Sequence, residues 1–390
     1  MRPIPYGRHN IDDDDIKAVI ETLKSDFMTQ GPKVAEFEDK VAKYHKCKYA
    51  VAFSNGTTAL HGAYFASGIG EGDEFISPAM TFVSSSNAGI YMGAKPILCD
   101  ISMDTYNIDI EQIFCKITDK TKVITAVSYA GKPVDIKVIR QQLQELQKEI
   151  VIIHDAAHAI GSKYEGANVC DFADMAMLSF HPVKHVATGE GGIILTNNKT
   201  FYDRLTLFRT MGITKSPELM TECHGDWYYE MQSLGNNYRL TDLQCALGIS
   251  QMNKVEASIR RRNEIATIYD EELKDIPLLT PKNNFCRNWV KGGDMSQEKN
   301  IHSYHLYPVL LQENADRKHF FDYMRENNVM VQVHYIPINF MPYYKENFGY
   351  KTGDFKNAEN FYWREVSLPM FPALTESQQS YVIDVIKKYF

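Results

Sequence analysis

Residues 49–61 read Tyr49-Ala50-Val51-Ala52-Phe53-Ser54-Asn55-Gly56-Thr57-Thr58-Ala59-Leu60-His61. An apolar run stops at a serine, an Asn-Gly pair turns the chain, two hydroxyls follow, and a helical stretch begins. The reading is strand, tight turn, helix. Similar units recur as far as residue 200. Strands are expected at 49–54, 74–77, 95–101, 122–129, 149–154, 174–180 and 192–196, with amphipathic stretches such as 56–67, 81–92 and 135–148 between many of them. Alternation over this length argues for an α/β fold, a mostly parallel sheet covered by helices.

Outward from that core, residues 11–24 read as a helix. Asp12 can cap it, further aspartates suit its positive end, and Ile16, Val19, Ile20 and Leu23 form one apolar face. The Asp12–Asp15 run is thereby explained without a metal. Residues 240–272 read as a long helical region opening at Leu240-Thr241-Asp242. The polar, irregular stretch 273–303 reads as a lobe connection. A strand (304–311), a helix (315–328), a strand (330–336), a tyrosine-rich loop after Pro337, a short strand (366–368) and a last helix capped by Thr375 and Gln378 make a smaller α+β C-terminal lobe. The division expected is 1–260 for an N-terminal arm and large domain, and 261–390 for a small domain.

Composition removes whole classes of function. The chain has 390 residues, 44% hydrophobic and 23% charged, the profile of an ordered globular protein rather than a disordered one. No apolar run approaches the roughly eighteen residues that span a bilayer, and Met1-Arg2-Pro3-Ile4-Pro5-Tyr6 has no apolar signal core. A cytoplasmic location with no membrane partner is expected. Net charge is −7, and the one basic run, Arg260-Arg261-Arg262, reads as a solvated helix face, so no nucleic-acid partner is expected. Seven widely spaced cysteines without a C-x-x-C point to reduced thiols, and neither a zinc pattern nor H-E-x-x-H offers a metal site.

Three segments place reactive groups where strands end or helices open, the ligand-binding edge of an open parallel sheet. The turn at Ser54–Thr58 offers free N–H groups, hydroxyls and a positive helix end, suited to a phosphate or simply to an ordinary helix start. In Ile152-Ile153-His154-Asp155-Ala156-Ala157-His158-Ala159 an apolar run delivers a carboxylate, which either caps a helix or pairs with a cation such as a protonated pyridine nitrogen. In Ser179-Phe180-His181-Pro182-Val183-Lys184-His185, followed by Gly189-Glu190-Gly191-Gly192, Lys184 lies among apolar and small residues. A desolvated lysine has a lowered pKa and becomes a nucleophile toward a carbonyl. Each motif alone has a bland explanation. Together and in that order they are the parts needed to hold pyridoxal 5'-phosphate, with lysine as the covalent attachment and aspartate keeping the ring nitrogen charged.

At these residues the chain resembles the DegT-type nucleotide-sugar aminotransferases, over nearly its full length. Further matching stretches are Met28-Thr29-Gln30-Gly31-Pro32, Thr81-Phe82-Val83, Asn237-Tyr238-Arg239-Leu240-Thr241-Asp242, Val333-His334-Tyr335-Ile336-Pro337 and Ser367-Leu368-Pro369. The resemblance implies a fold-type I transferase of the aspartate aminotransferase kind. It implies that Lys184 carries the cofactor and shuttles the proton, that Asp155 pairs with the ring nitrogen, and that His158 lies near the ring's 3-oxygen. Phe82 would stack on the ring, and Gly56, Thr57 and Ser179 would hold the phosphate. Asn237 would reach the cofactor phosphate of the neighbouring subunit, which implies a homodimer with shared sites. Ile4-Pro5-Tyr6-Gly7-Arg8, Trp227-Tyr228-Tyr229-Glu230-Met231 and Tyr304-His305-Leu306-Tyr307-Pro308 look most like the branch of pseudaminic acid biosynthesis that aminates C4 of a UDP-linked 4-keto-6-deoxy-N-acetyl sugar with L-glutamate. Tyr6, Met28, Thr29, Tyr307 and His334 are the implied sugar-nucleotide contacts, although tyrosines at strand ends are also ordinary packing residues. Met211-Gly212 departs from the family's usual His-Gly, and Asn236 from a usual tyrosine.

Overall fold

In the structure, a computed structural model that describes residues 2–281 and 293–390, the 49–200 segment forms one seven-stranded sheet. The elements run β1 (Ile4–Pro5), α1 (Asp13–Leu23), α2 (Pro32–Tyr44), β2 (Tyr49–Phe53), α3 (Gly56–Ser67), β3 (Glu74–Pro78), α4 (Ser84–Tyr91), β4 (Lys95–Cys99), α5 (Ile110–Lys116), β5 (Thr121–Val127) and α6 (Ile136–Glu145). They continue β6 (Val151–Asp155), β7 (Met175–Ser179), β8 (Gly192–Thr196), α7 (Lys199–Arg209), β9 (Ile213–Thr214), β10 (Glu230–Met231), α8 (Asp242–Met252) and α9 (Val255–Glu272). The small lobe holds β11 (Leu278–Leu279), β12 (Tyr307–Leu311), α10 (Arg317–Glu326), β13 (Val329–Met330), α11 (Pro342–Phe348), α12 (Lys356–Arg364), β14 (Glu365–Leu368) and α13 (Glu376–Tyr389).

The large sheet is ordered β2-β8-β7-β6-β5-β3-β4. Its pairs are parallel from β7 through β4, and antiparallel where β8 joins β2 and β7. The strands are almost wholly buried on both faces, which is why they read as short apolar runs rather than alternating ones. The small lobe is built on the antiparallel sheet β11-β12-β14. Helix α9 joins the two cores, Val255 and Ile259 packing in the large one and Ile265, Ala266 and Tyr269 in the small one. The arm strand β1 pairs with β13, and Ile4 packs in the small-lobe core.

Several expectations are corrected. The apolar face of α1 does not pack on its own chain: Ile16, Ile20 and Leu23 are exposed, whereas Asp15 and Thr22 are buried. The cause is polar pairing, because Asp15 Oδ2 accepts from Gln251 Nε2 and Lys254 Nζ, each at 2.6 Å. The 240–272 stretch is two helices, broken at Asn253-Lys254, where Lys254 reaches Asp12 and Asp15. Arg262 is not solvated. It is fully buried, and one guanidinium nitrogen donates to the carbonyls of Tyr304 (3.1 Å), His305 (3.2 Å) and Met370 (2.8 Å). Of the expected 330–336 strand only Met330 lies in β13, with one isolated bridge from Gln332 to Ser367, and the tyrosine-rich loop carries α11 and α12. Within the lobe connection, residues 282–292, Cys286 included, lie outside the described residues; the other six cysteines are free thiols. Among the described residues no helix is long and apolar enough to cross a membrane.

Candidate active site

The strand ends β2, β6 and β7 open into a cavity of about 610 Å³. At its floor, Asn55 caps α3: its side-chain oxygen takes the Thr58 N–H at 2.9 Å, while Thr58 Oγ1 accepts from the Asn55 N–H. The cap claims the Thr58 N–H and leaves those of Gly56 and Thr57 at the helix mouth. Strand β8 passes so close that a Cβ on Gly192 would lie 2.8 Å from Gly56 N, and one on Gly56 would touch Ser179 Cβ at 3.3 Å. Glycine at both positions is what lets the turn, the Ser179 hydroxyl and the helix mouth converge. Thr57 Oγ1 is held by Ser84 Oγ at 2.8 Å.

Asp155 ends β6 and is buried. Its carboxylate accepts from Ser85 Oγ (2.5 Å) and from the Ala157 N–H (3.1 Å). Burial still raises its pKa above the usual carboxylate value, against those hydrogen bonds and the Lys184 charge. Lys184 lies across from it, half-buried, and burial pulls its pKa down to about 7; Arg262 lowers it further, while Asp155 opposes the shift. Near pH 7 a large fraction of Lys184 is therefore the free amine.

A group of neutral histidines surrounds the lysine. His305 Nε2 is 3.5 Å from Lys184 Nζ, and its ring lies 4.3 Å from that of His158. The Ala130 N–H donates to His158 Nδ1 at 3.2 Å, so the proton sits on Nε2 and goes to the Tyr335 hydroxyl at 3.1 Å. Burial, with the Lys184 charge behind it, holds His158 and His305 well below the usual histidine range.

The structure brings Tyr6, Gly56, Thr57, Phe82, Asp155, His158, Ser179, Lys184 and His334 together on the cavity wall. Phe82 is 56% exposed there, its ring 5.9 Å from that of Tyr335. Tyr307 is elsewhere: it is buried in the small-lobe core, its ring tilted against that of Tyr269 at 4.9 Å and its hydroxyl donating to Asp270 at 2.5 Å. His305, two residues earlier, faces the cavity instead. Met28 and Thr29, between α1 and α2, and the exposed Asn237 also lie off this wall. Sequence reading passed over Ser84, Ser85, His305 and Tyr335. The hydroxyl run Ser84-Ser85-Ser86 behind an expected strand end was the available signal for the first two. The two departures from the family pattern touch each other, the Met211 N–H donating to the Asn236 carbonyl at 2.9 Å.

The family model of DegT/DnrJ/EryC1/StrS aminotransferases matches residues 9–387. The chain belongs to that family. It is 34% identical, over 98% of its length and 96% of the relative, to the UDP-4-amino-4,6-dideoxy-N-acetyl-β-L-altrosamine transaminase of Campylobacter jejuni. The solved structure of Helicobacter pylori PseC, an aminotransferase involved in the biosynthesis of pseudaminic acid, superposes with a TM-score of 0.89 at 30% identity, covering 100% of this chain and 99% of that one. Streptococcus pneumoniae Spr1654, described as a sugar aminotransferase and solved in its PMP form, gives 0.88 at 28% identity, covering 99% and 98%. The protein is thus a sugar aminotransferase that uses pyridoxal 5'-phosphate.

The residues fit that cofactor. A buried carboxylate faces a depressed-pKa amine, and a cradle of N–H and hydroxyl donors lies where a single added Cβ would intrude.

Proposed function

We propose that this aminotransferase moves an amino group from L-glutamate to C4 of UDP-2-acetamido-2,6-dideoxy-β-L-arabino-hex-4-ulose, giving UDP-4-amino-4,6-dideoxy-N-acetyl-β-L-altrosamine and 2-oxoglutarate. The observation that carries the reading is 34% identity along nearly the whole chain to the altrosamine transaminase, joined to a cavity whose lysine is in good part uncharged near neutrality. Bound pyridoxal 5'-phosphate supplies an electron sink that stabilises the carbanion formed when an α-proton leaves. Gly56, Thr57 and Ser179 would hold its phosphate. Asp155, braced by Ser85, would keep positive charge on the ring nitrogen, and Phe82 and His158 would contact the ring. Lys184 would hold the cofactor covalently at rest and, once freed as the neutral amine, would take up and give back the proton in both half-reactions. Tyr6 and His334 contact the sugar nucleotide.

The active unit we propose is a homodimer with shared sites. The exposed apolar stripe Ile16, Ile20, Leu23, Phe27 and Met28 supports it, because a patch of that kind is normally covered. Asn237, Met28 and Thr29 then serve the partner's cavity.

Absorbance of the holoenzyme tests the reading. L-glutamate should bleach the band of the lysine-bound cofactor, and the UDP-4-keto sugar should restore it. Bleaching without restoration, where another nucleotide keto sugar succeeds, overturns the substrate assignment.

A further inference from the structure

Behind the sugar side of the cavity lies a buried polar chain. Strand β14 carries Glu365 and Ser367 two residues apart, so both project from one face, while Val366 and Leu368 project from the other into the small-lobe core. Glu365 and Ser367 are both wholly buried. Ser367 Oγ lies 2.5 Å from Glu365 Oε1 and 2.9 Å from His334 Nδ1, and the His334 N–H donates to Glu365 Oε2 at 2.8 Å. The Tyr129 hydroxyl donates to the His334 carbonyl at 2.6 Å, which pins the same residue from the other side. His334 lines the cavity, and its Nε2 has no hydrogen-bond partner among the described residues.

We propose that Glu365, Ser367 and His334 form a proton relay that sets which nitrogen of His334 carries the proton and lets Nε2 give a proton to, or take one from, an oxygen of the reacting sugar. The proposal rests on the nucleotide-sugar reading above. His334 is the group that touches substrate; Ser367 and Glu365 are positioning residues.

Hydrogen-bond direction allows two states of the chain. With Glu365 ionised, the Ser367 hydroxyl donates to it, His334 Nδ1–H donates to Ser367, and Nε2 presents a lone pair. With Glu365 protonated, its O–H donates to Ser367, Ser367 donates to Nδ1, and Nε2 presents N–H. Passing between them is balanced. When the Nε2–H bond breaks and an O–H bond forms on the sugar oxygen, the Ser367 proton moves to Nδ1 and the Glu365 proton moves to Ser367. The imidazole is neutral before and after. Burial, aided by the Lys184 charge, holds His334 to about 3, so the neutral ring is the form present. Burial pushes Glu365 up to about 8, within reach of both states, with Ser367, the His334 N–H and Arg317 opposing the rise. The phenols of Tyr106, Tyr129 and Tyr335 also face Glu365, and burial keeps all three protonated.

The test reads the tautomer directly. In holoenzyme carrying ¹⁵N-histidine, the His334 signal, assigned by its loss in His334→Gln, should pass from Nε2–H to Nδ1–H as pH rises through Glu365's titration. In Glu365→Gln, the His334 N–H fixes the amide oxygen, so the amide nitrogen must donate to Ser367; His334 should then stay Nε2–H at every pH. Ser367→Ala should uncouple the tautomer from pH. In single turnovers, Glu365→Gln and Ser367→Ala should each slow the sugar half-reaction tenfold or more and change the glutamate half-reaction less than twofold. One tautomer in all variants at all pH values, or equal slowing of both half-reactions, overturns the relay. Wild-type enzyme that turns over glutamate but not the UDP-4-keto sugar overturns the substrate reading instead, and the tautomer experiment still judges the relay.

Discussion

Replacing Gly192 by alanine tests whether the cofactor cradle depends on close approach of two backbones. An added Cβ would lie 2.6 Å from the Asn55 carbonyl carbon and 2.8 Å from Gly56 N, where ordinary contact begins at 3.4 Å. The Asn55 carbonyl oxygen is nearer still, so the strand or the turn must give by up to about 1 Å. Neither slides freely, because Gly192 pairs with Phe53 on one side and Ser179 on the other. Overpacking of this kind costs about 1–3 kcal/mol, and the backbone on both sides places Gly192→Ala toward the upper end. The displaced atoms are the N–H groups assigned to the phosphate, and a misplacement near 1 Å can cost on the order of a hundredfold in function. Urea unfolding of the apoprotein and fluorescence titration with pyridoxal 5'-phosphate read the two effects. Gly70→Ala, with nothing within 4 Å of its added Cβ, is the control and should change stability by less than about 0.5 kcal/mol. If Gly192→Ala matches that control in stability and in cofactor affinity, the close-approach argument is wrong.

Ser85→Ala removes the 2.5 Å hydrogen bond to Asp155. A hydrogen bond to a charged group contributes about 1.5–3 kcal/mol, so cofactor affinity should fall roughly 10- to 100-fold, with the Asp155 pKa rising further; equilibrium dialysis checks it. Lys184 captures cofactor only as the free amine, and its pKa is lowered to about 7, so the capture rate of apoprotein should rise with pH and be half-maximal near pH 7. Stopped-flow absorbance that put the midpoint near that of an ordinary lysine would refute the burial argument. Lys184→Ala and Asn237→Ala should each be inactive alone. Mixed and allowed to exchange, they should recover about a quarter of wild-type activity per chain, since half the dimers are then hybrid and each hybrid has one intact site. No recovery under proven exchange would return Asn237 to its own subunit.

What the sequence made legible was local. Helix α3 spans Gly56–Ser67 as read, because its strand stop, Asn cap and Gly68 stop are all within a few residues. The capping boxes at Asp12 and Thr375 were readable for the same reason. Legibility ended where a residue's partner is distant. Periodicity found an apolar face on α1 but could not say that Gln251 and Lys254 would draw the opposite face inward. Arg262 looked like one of three surface arginines because its carbonyl partners lie at 304, 305 and 370. The resemblance points to Tyr307, but local sequence does not reveal that Tyr307 turns into the small-lobe core while His305 faces the cavity. Glu365 carried no sequence signal at all, since its meaning depends on His334 across a lobe.

The charge around the cavity bears on the assembly. Its wall carries Lys184 and no other lysine or arginine among the described residues, together with the carboxylates of Asp155 and Glu190. The cofactor phosphate can be met by neutral donors at a helix mouth. The proposed substrates are harder to satisfy. A UDP-sugar brings a diphosphate and glutamate brings two carboxylates, and an anion withdrawn from water without a cation or several donors is costly. Lys184 cannot serve them, because its function requires the neutral amine. The cationic complement must therefore come from residues off this wall. The exposed stripe on α1 and the position of Asn237 make a second copy of the chain the source consistent with both. Dilution separates this from a self-sufficient monomer. If the partner supplies the charge, dilution into dissociating conditions should raise the KM for the sugar nucleotide steeply, whereas a monomer with its own cations would keep its KM.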